Sequence, residues 1–219
     1  MTDIKSISNL FLKNLKINYM FYISLLLSLI LFSKFTKTNF TRNILSFILI
    51  SFFGYLVHLY SHKYDYIELA EKFIKQKTFI TRNNFMKKIL KNWGYFLNFH
   101  NDIHHDSEIN KDFDNEIFEF IQNFLAQGLL LYLIIIFFKS LNPMMAFVWG
   151  LYYATTHMVN YKFFYSQEHE EHHEHKFTNY GLDVWDILFN TKYNETCENY
   201  NHSLINVLVL FLFFLQKYK

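Results

Sequence analysis

The chain contains eleven histidines, and eight of them fall into three short arrays. His58 and His62 form an HxxxH, residues 100–105 (HNDIHH) form an HxxxHH, and residues 169–173 (HEEHH) form an HxxHH. On a helix, residues three or four positions apart share one face, with Cβ atoms about 5 to 6 Å apart. Each array therefore directs two or three imidazole rings towards one point. Neutral imidazole is a good ligand for iron, zinc, copper and nickel, so the arrays predict a metal site.

A ninth histidine belongs to the same pattern. His157 ends a long apolar segment, where an ionisable side chain is costly and is a functional candidate by default. His175 and His202 lie outside the arrays. Several converging arrays can hold two metal ions with nitrogen ligands alone. The predicted ligands are His58, His62, His100, His104, His105, His157, His169, His172 and His173.

Carboxylates near the arrays are candidates for a supporting role. A carboxylate that accepts the far N–H of a ligating histidine fixes its tautomer and raises its basicity. A solvated surface charge is the better explanation of each one taken alone, so none is predicted to be a ligand. The candidates are Asp102, Asp106, Glu170, Glu171, Asp183 and Asp186. The single cysteine, Cys197, excludes a thiolate cluster and an intrachain disulfide framework.

Four long apolar segments separate and flank the arrays, and a helix needs about 20 mainly apolar residues to cross a bilayer. The predicted spans lie near residues 17–33, 43–60, 118–138 and 143–160. A further apolar run at 203–215 is too short to cross alone, so it is expected to pack against the bundle or to lie in the membrane interface.

The composition favours helices, because the chain has 27 Phe but only 5 Gly and 1 Pro. A net charge of +2 gives no sign of a nucleic-acid partner. The predicted fold is an all-α integral membrane protein with one domain over residues 1–219. About four transmembrane helices form two hairpins, with a histidine-lined helical cap on one side. Residues 61–117 carry nine Lys or Arg, which places that cap in the cytosol by the positive-inside rule.

Residues 67–99 show apolar spacing compatible with helices, with lysines between the apolar positions. Amphipathic helices on the membrane surface fit this pattern. A solvated cap without a role in substrate binding fits it equally well.

The last array and the residues after it resemble the fatty acid hydroxylase/sterol desaturase superfamily of membrane di-iron oxygenases. In HEEHHEHKFTNYGLDVWDILFNT (169–191), HxxHH is followed by an Asn-aromatic-Gly step and a Trp-Asp-x-Leu-Phe run, as in the closing signature of that superfamily. His58 and His62 match its HxxxH after a span, and His157 matches the histidine that closes its last span. The resemblance extends from about residue 45 to residue 192.

Two features depart from the pattern of the superfamily. The middle array is HxxxHH rather than HxxHH, which resembles acyl-lipid desaturases, and 37 residues separate His62 from His100. Asn190-Thr191 stands where Gly-Thr usually follows Leu-Phe.

The resemblance implies two iron ions, with zinc possible in the purified protein, and O₂ as co-substrate. It also implies a lipid substrate, such as a fatty acyl chain, a sphingolipid or a sterol. The expected electron donor is external, such as cytochrome b5 and its reductase, and the expected compartment is the endoplasmic reticulum. The first functional prediction is a lipid hydroxylase, and a desaturase on the same scaffold is the alternative. A non-catalytic metal-binding membrane protein is a less favoured alternative.

Overall fold

The computed structural model describes residues 4–76, 78–105 and 113–216, and all regular secondary structure in these ranges is helical. The prediction of an all-α fold is confirmed for these residues. Asp106, one of the candidate carboxylates, lies outside them. The α-helices are α1 (Ile4–Ile17), α2 (Tyr19–Thr36), α3 (Phe40–Lys63), α4 (Tyr66–Lys75), α5 (Asn84–Phe99), α6 (Phe113–Phe124), α7 (Leu130–Ile135), α8 (Met144–Thr155), α9 (Tyr161–Phe163), α10 (Gln167–Glu174), α11 (Asp183–Phe189) and α12 (Leu204–Gln216).

Within the described residues, three helical stretches are long and apolar enough to cross a membrane: Tyr19–Thr36, Phe40–Lys63 and Asp114–Ile135. They correspond to the first three predicted spans. The fourth predicted span, 143–160, falls in the helical run from α8 to α9, which is not one of these three, so it stays a prediction. The run at 203–215 forms α12, which packs against α2 with the rings of Phe32 and Phe211 5.7 Å apart.

In the part of the chain that the structure describes, three π-helical turns interrupt the helices, at His100–His104, Leu125–Leu129 and Thr156–Asn160. A π turn inserts an extra residue into the helix and is frequently found at functional sites. Two of the three turns contain predicted ligands, namely His100 and His104 in the first and His157 in the last. The turns therefore alter the direction of these side chains relative to a regular helix.

The bundle is tightly packed one to two turns away from the histidines of α3 and of the π turn that follows α8. Gln127 donates to the carbonyl of Gly54 at 3.1 Å and accepts from the indole N–H of Trp149 at 3.1 Å. Gly128 and Gly150 meet where α8 crosses the π turn at 125–129, so close that no side chain fits between the two backbones. These contacts fix the relative positions of α3, α6 and α8.

The segment 67–99 forms a helical hairpin, because α4 packs along α5. Side chains cap both helices: Asp65 accepts from the backbone N–H of Glu68, and Asn83 accepts from that of Phe85. Gly94 permits the close approach, since a Cβ there would lie 2.9 Å from the carbonyl oxygen of Tyr66. The prediction of helices in this segment is confirmed, and α5 leads directly into the π turn that carries His100.

Candidate metal centre

All nine predicted ligands converge on one region of the structure, where they form groups whose ring nitrogens lie within 4.8 Å of one another. They come from the end of α3, the π turn after α5, the π turn after α8, and α10. The structure does not add His175 or His202 to these groups.

The first group consists of His58, His62, His100 and His172, all buried. The Nε2 atom of His100 lies 2.9 Å from that of His58 and 3.1 Å from that of His62. The ring of His172 faces both α3 histidines, with centroids 4.7 Å from His58 and 4.8 Å from His62. Four imidazoles from three separate segments thus surround one point.

The second group combines two sets that share His104: one contains His169 and His173, and the other contains His157 and Glu119. The Nε2 atoms of His104 and His157 are 2.9 Å apart, and those of His169 and His173 are 3.2 Å apart. The rings of His104 and His173 have centroids 4.4 Å apart, which closes the group.

His105 lies between the two groups. Its ring centroid is 4.7 Å from that of His62 and 4.9 Å from that of His172, both of the first group. It is also 4.7 Å from that of His173, in the second group. The two groups are therefore adjacent, as a two-metal centre requires.

Backbone carbonyls fix the ring orientation in the first group. The Nδ1 atom of His58 lies 2.5 Å from the carbonyl oxygen of Tyr180, and that of His172 lies 2.6 Å from the carbonyl oxygen of Thr178. A carbonyl only accepts, so Nδ1 carries the proton in both rings and Nε2 carries the lone pair. The Nε2 atom of His172 is buried and has no hydrogen-bond partner. A metal ion in the centre of the group would satisfy this atom.

In the second group, a carboxylate holds the Nδ1 atom of one of the rings. The Nδ1 atom of His104 lies 2.5 Å from Oε1 of Glu119, and both side chains are buried. Such a carboxylate holds the ring and raises its basicity as a metal ligand. Glu119 also groups with His104 and His157 as a possible ligand. Sequence reasoning missed this residue, although an acidic side chain inside a predicted span is itself a functional signal.

The candidate carboxylates chosen from the sequence have other partners. Asp186 accepts from the backbone N–H groups of Tyr180 and Gly181 at 2.9 and 3.1 Å and from the hydroxyl of Thr191 at 2.7 Å. It therefore holds the turn whose Tyr180 carbonyl orients His58, so it acts on the ligands indirectly.

The other described candidates make no hydrogen bond to a predicted ligand. Asp183 pairs with Lys192 at 2.8 Å, and Asp102 accepts from Asn98. Glu170 accepts from Tyr165, and Glu171 accepts from Gln167.

The separations between the nitrogens test whether these rings fit a metal. Four Nε2 pairs lie between 2.9 and 3.2 Å. With metal–nitrogen bonds of about 2.1 Å, nitrogens about 3 Å apart subtend an angle of about 90° at the ion. A tetrahedral ion with the same bonds needs nitrogens roughly 3.4 Å apart. Each pair is therefore close enough for one metal ion to bind both nitrogens.

The protonation state also fits metal binding. Burial, together with the neighbouring imidazoles, lowers the pKa of His100, His104, His169 and His172 well below the ordinary value for histidine. The same causes lower the pKa of His105 to about 4. These rings are therefore neutral at pH 7, which is the form that binds a metal.

A cavity of about 60 Å³ borders both groups, with His58, His157 and His169 in its wall beside Tyr153 and Tyr161. It has room for a few molecules the size of water. A small molecule such as O₂ fits this volume, whereas a lipid does not.

Comparison of the chain with protein-family models, with curated protein sequences and with solved structures gives no match.

Proposed function

We propose that this protein is an iron- and O₂-dependent lipid hydroxylase of the fatty acid hydroxylase/sterol desaturase superfamily. The observation that carries the proposal is the convergence of nine histidines from four segments: eight form two adjacent groups, and His105 lies between them. The resemblance of residues 169–191 to the closing signature of the superfamily supports it independently of the geometry.

The two groups are proposed to hold one iron ion each. His58, His62, His100 and His172 bind the first ion, and His104, His157, His169 and His173 bind the second, with His105 between them. Bound iron supplies, with O₂, the oxidising power to cleave an unactivated C–H bond. The choice of iron rests on the resemblance to the superfamily.

The protein contributes orientation and a dry environment. The carbonyls of Tyr180 and Thr178 and the carboxylate of Glu119 hold the outer nitrogens of three ligands, so the inner lone pairs stay directed at the metals. The small adjoining cavity admits O₂ and little bulk water.

The membrane topology is part of the proposal. The three apolar helical stretches and the run from α8 to α9 form four spans in two hairpins. The nine basic residues of 61–117 favour a cytosolic position for the histidines. That position, in the endoplasmic reticulum, gives an external donor such as cytochrome b5 access to the site.

Two alternatives share the same metal site. A desaturase removes a second hydrogen from the substrate instead of adding oxygen, and the histidine geometry fits both outcomes. A non-catalytic metal-binding membrane protein, with zinc in place of iron, uses the same ligands without oxidising a lipid.

Comparative lipid mass spectrometry tests the proposal. The wild type and the His172→Ala/His173→Ala variant are expressed in a eukaryotic host, which supplies electron donors, and the lipid extracts are compared. A lipid class that gains one oxygen only with the wild type is the expected result. A loss of two hydrogens assigns a desaturase, and identical extracts from a metal-loaded wild type contradict an oxidative function.

A further inference from the structure

A second, much larger cavity lies outside the histidine cluster. It is a groove of about 680 Å³ between α5 and α6, within the usual range for pockets that hold a small-molecule ligand. Aromatic and aliphatic side chains form most of its surface. Its lining residues are Asn92, Trp93, Tyr95, Phe96, Phe99, Phe118 and Leu125, with one carboxylate, Asp102, from the π turn at 100–104. We propose that this groove, called here the α5–α6 groove, binds the acyl chain of the lipid substrate.

The position of the groove links it to the metal centre. Phe99 precedes His100, and Phe118 precedes Glu119, which holds His104. The rings of Phe99 and Phe118 meet with centroids 4.6 Å apart. Both walls of the groove are therefore built from the helices that place site residues.

The groove flanks the histidines and does not open directly onto them. Consecutive residues on a helix are offset by about 100°, so Phe99 and His100 occupy different faces. The groove-lining stretch of α5 from Asn92 to Phe99 is about 10 Å long. The groove thus holds a part of the substrate away from the reacting carbon, and such remote binding positions the reacting carbon.

The surroundings of the groove favour a lipid over a protein partner. One wall, α6, belongs to the Asp114–Ile135 stretch that is long and apolar enough to cross a membrane. Beside the groove, Ile117 and Ile121 on the same helix are also exposed. On the other wall, Trp93 and Tyr95 are half exposed, and such aromatic side chains are enriched at the membrane–water interface. The groove is therefore continuous with a surface that lipid chains cover.

The groove also gives a role to the segment that departs from the superfamily pattern. The α4–α5 hairpin occupies most of the 37 residues between His62 and His100, and α5 supplies most of the lining. The hairpin is then a substrate-binding wall and not only a solvated cap. This inference rests on the proposed function, because it takes the substrate to be a lipid.

Photolabelling tests the groove without requiring turnover. Wild-type protein in phosphatidylcholine nanodiscs is labelled with palmitic acid that carries a diazirine at the end of its chain, and the labelled residues are mapped by mass spectrometry. We expect label on α5 and α6 around Trp93, Phe96 and Phe118. Unlabelled palmitic acid at about ten times its Kd reduces that label about tenfold. Label on the exposed Leu26 and Leu27 of α2 reports ordinary lipid contact and is not reduced.

Matched variants locate the binding within the groove. The label that unlabelled palmitic acid reduces is called here the competed label. Leu125→Trp fills the groove and removes the competed label, whereas Ile121→Trp, on the same helical stretch but outside the lining, leaves it unchanged. Trp93→Ala truncates a side chain that is 57% exposed, so the fold is retained while the competed label decreases. The metal content of each variant is measured as a control for folding.

Three results overturn the inference. The first is label in the groove that excess palmitic acid does not reduce, and the second is competed label that persists in both Leu125→Trp and Trp93→Ala. The third is cross-linking between two chains through the groove, which assigns the groove to a second copy. Competed label together with unchanged lipid extracts contradicts the proposed oxidation but not the groove. Oxidised lipid without competed label contradicts the groove alone.

Discussion

The substitution Gly150→Ala tests the packing that positions His157. Gly150 lies on α8, two turns before His157, at the point where α8 crosses the π turn of residues 125–129. A Cβ at position 150 would lie 2.4 Å from the Cα atom of Gly128 and 2.7 Å from its nitrogen. Both atoms belong to the backbone, so no side-chain rotation relieves the contact.

The size of the effect follows from these distances. Carbon atoms at optimal contact are about 3.5 to 4.0 Å apart, so the two helices must separate by roughly 1 Å or more. Overpacking of this kind costs about 1–3 kcal/mol, and the rigid backbone places Gly150→Ala near the upper end. For a chain of this size, about 3 kcal/mol corresponds to a decrease in Tm of roughly 6–12 °C. The displacement also moves His157 relative to His104.

The assay is thermal unfolding of the purified variants in detergent, together with their metal content. Gly181→Ala is the matched control, because a Cβ there finds only ordinary contacts with Tyr55, the nearest at 3.5 Å. We expect its stability to stay within about 0.5 kcal/mol of the wild type. A Gly150→Ala variant with the Tm and metal content of the wild type would refute the close crossing of these helices.

Three further predictions concern the site. Glu119→Gln replaces the carboxyl group that faces Nδ1 of His104 and lowers the affinity for one of the two metals about 10- to 100-fold, measured by dialysis against a chelator series. An equal loss in Asp114→Asn, at an exposed residue of the same helix, contradicts this explanation. Asp186→Asn weakens the hydrogen bonds from the backbone of Tyr180 and Gly181 and destabilises the protein by about 1–3 kcal/mol, which is measured as a lower Tm. An unchanged Tm contradicts the role of Asp186 in holding this turn. In the metal-free protein, the pKa of His105 is about 4 in the folded state and about 6.5 in the unfolded state, so between pH 4 and pH 6.5 the unfolded chain binds more protons. The Tm therefore decreases as the pH falls from about 6.5 to 4. A Tm that does not change over that range contradicts a buried neutral ring.

Sequence reasoning reached the histidines because their spacing is local. HxxxH and HxxHH place rings on one helical face, and the structure brings all nine predicted side chains together. The helices followed from the apolar runs and the scarcity of Gly and Pro. How the rings are distributed between two groups, with His105 between them, depends on how the histidine-bearing segments pack, which spacing alone does not determine.

Other parts of the site depend on tertiary contacts. The partners of His58 and His172 are backbone carbonyls, which have no signature in the sequence. The π turns at 100–104 and 156–160 shift the register of their side chains, and regular helical spacing does not predict them. Glu119 differs, because its position in an apolar segment was a readable signal.

The central claim is that two adjacent groups of histidines hold two metal ions. The most direct measurement is the iron content per chain after loading the purified protein with Fe(II), compared between the wild type, the His172→Ala/His173→Ala variant and His175→Ala. We predict two irons per chain in the wild type and in His175→Ala, and fewer in the double variant, which loses one ligand from each group. No stoichiometric iron in the wild type, or equal iron in the wild type and the double variant, would contradict the claim.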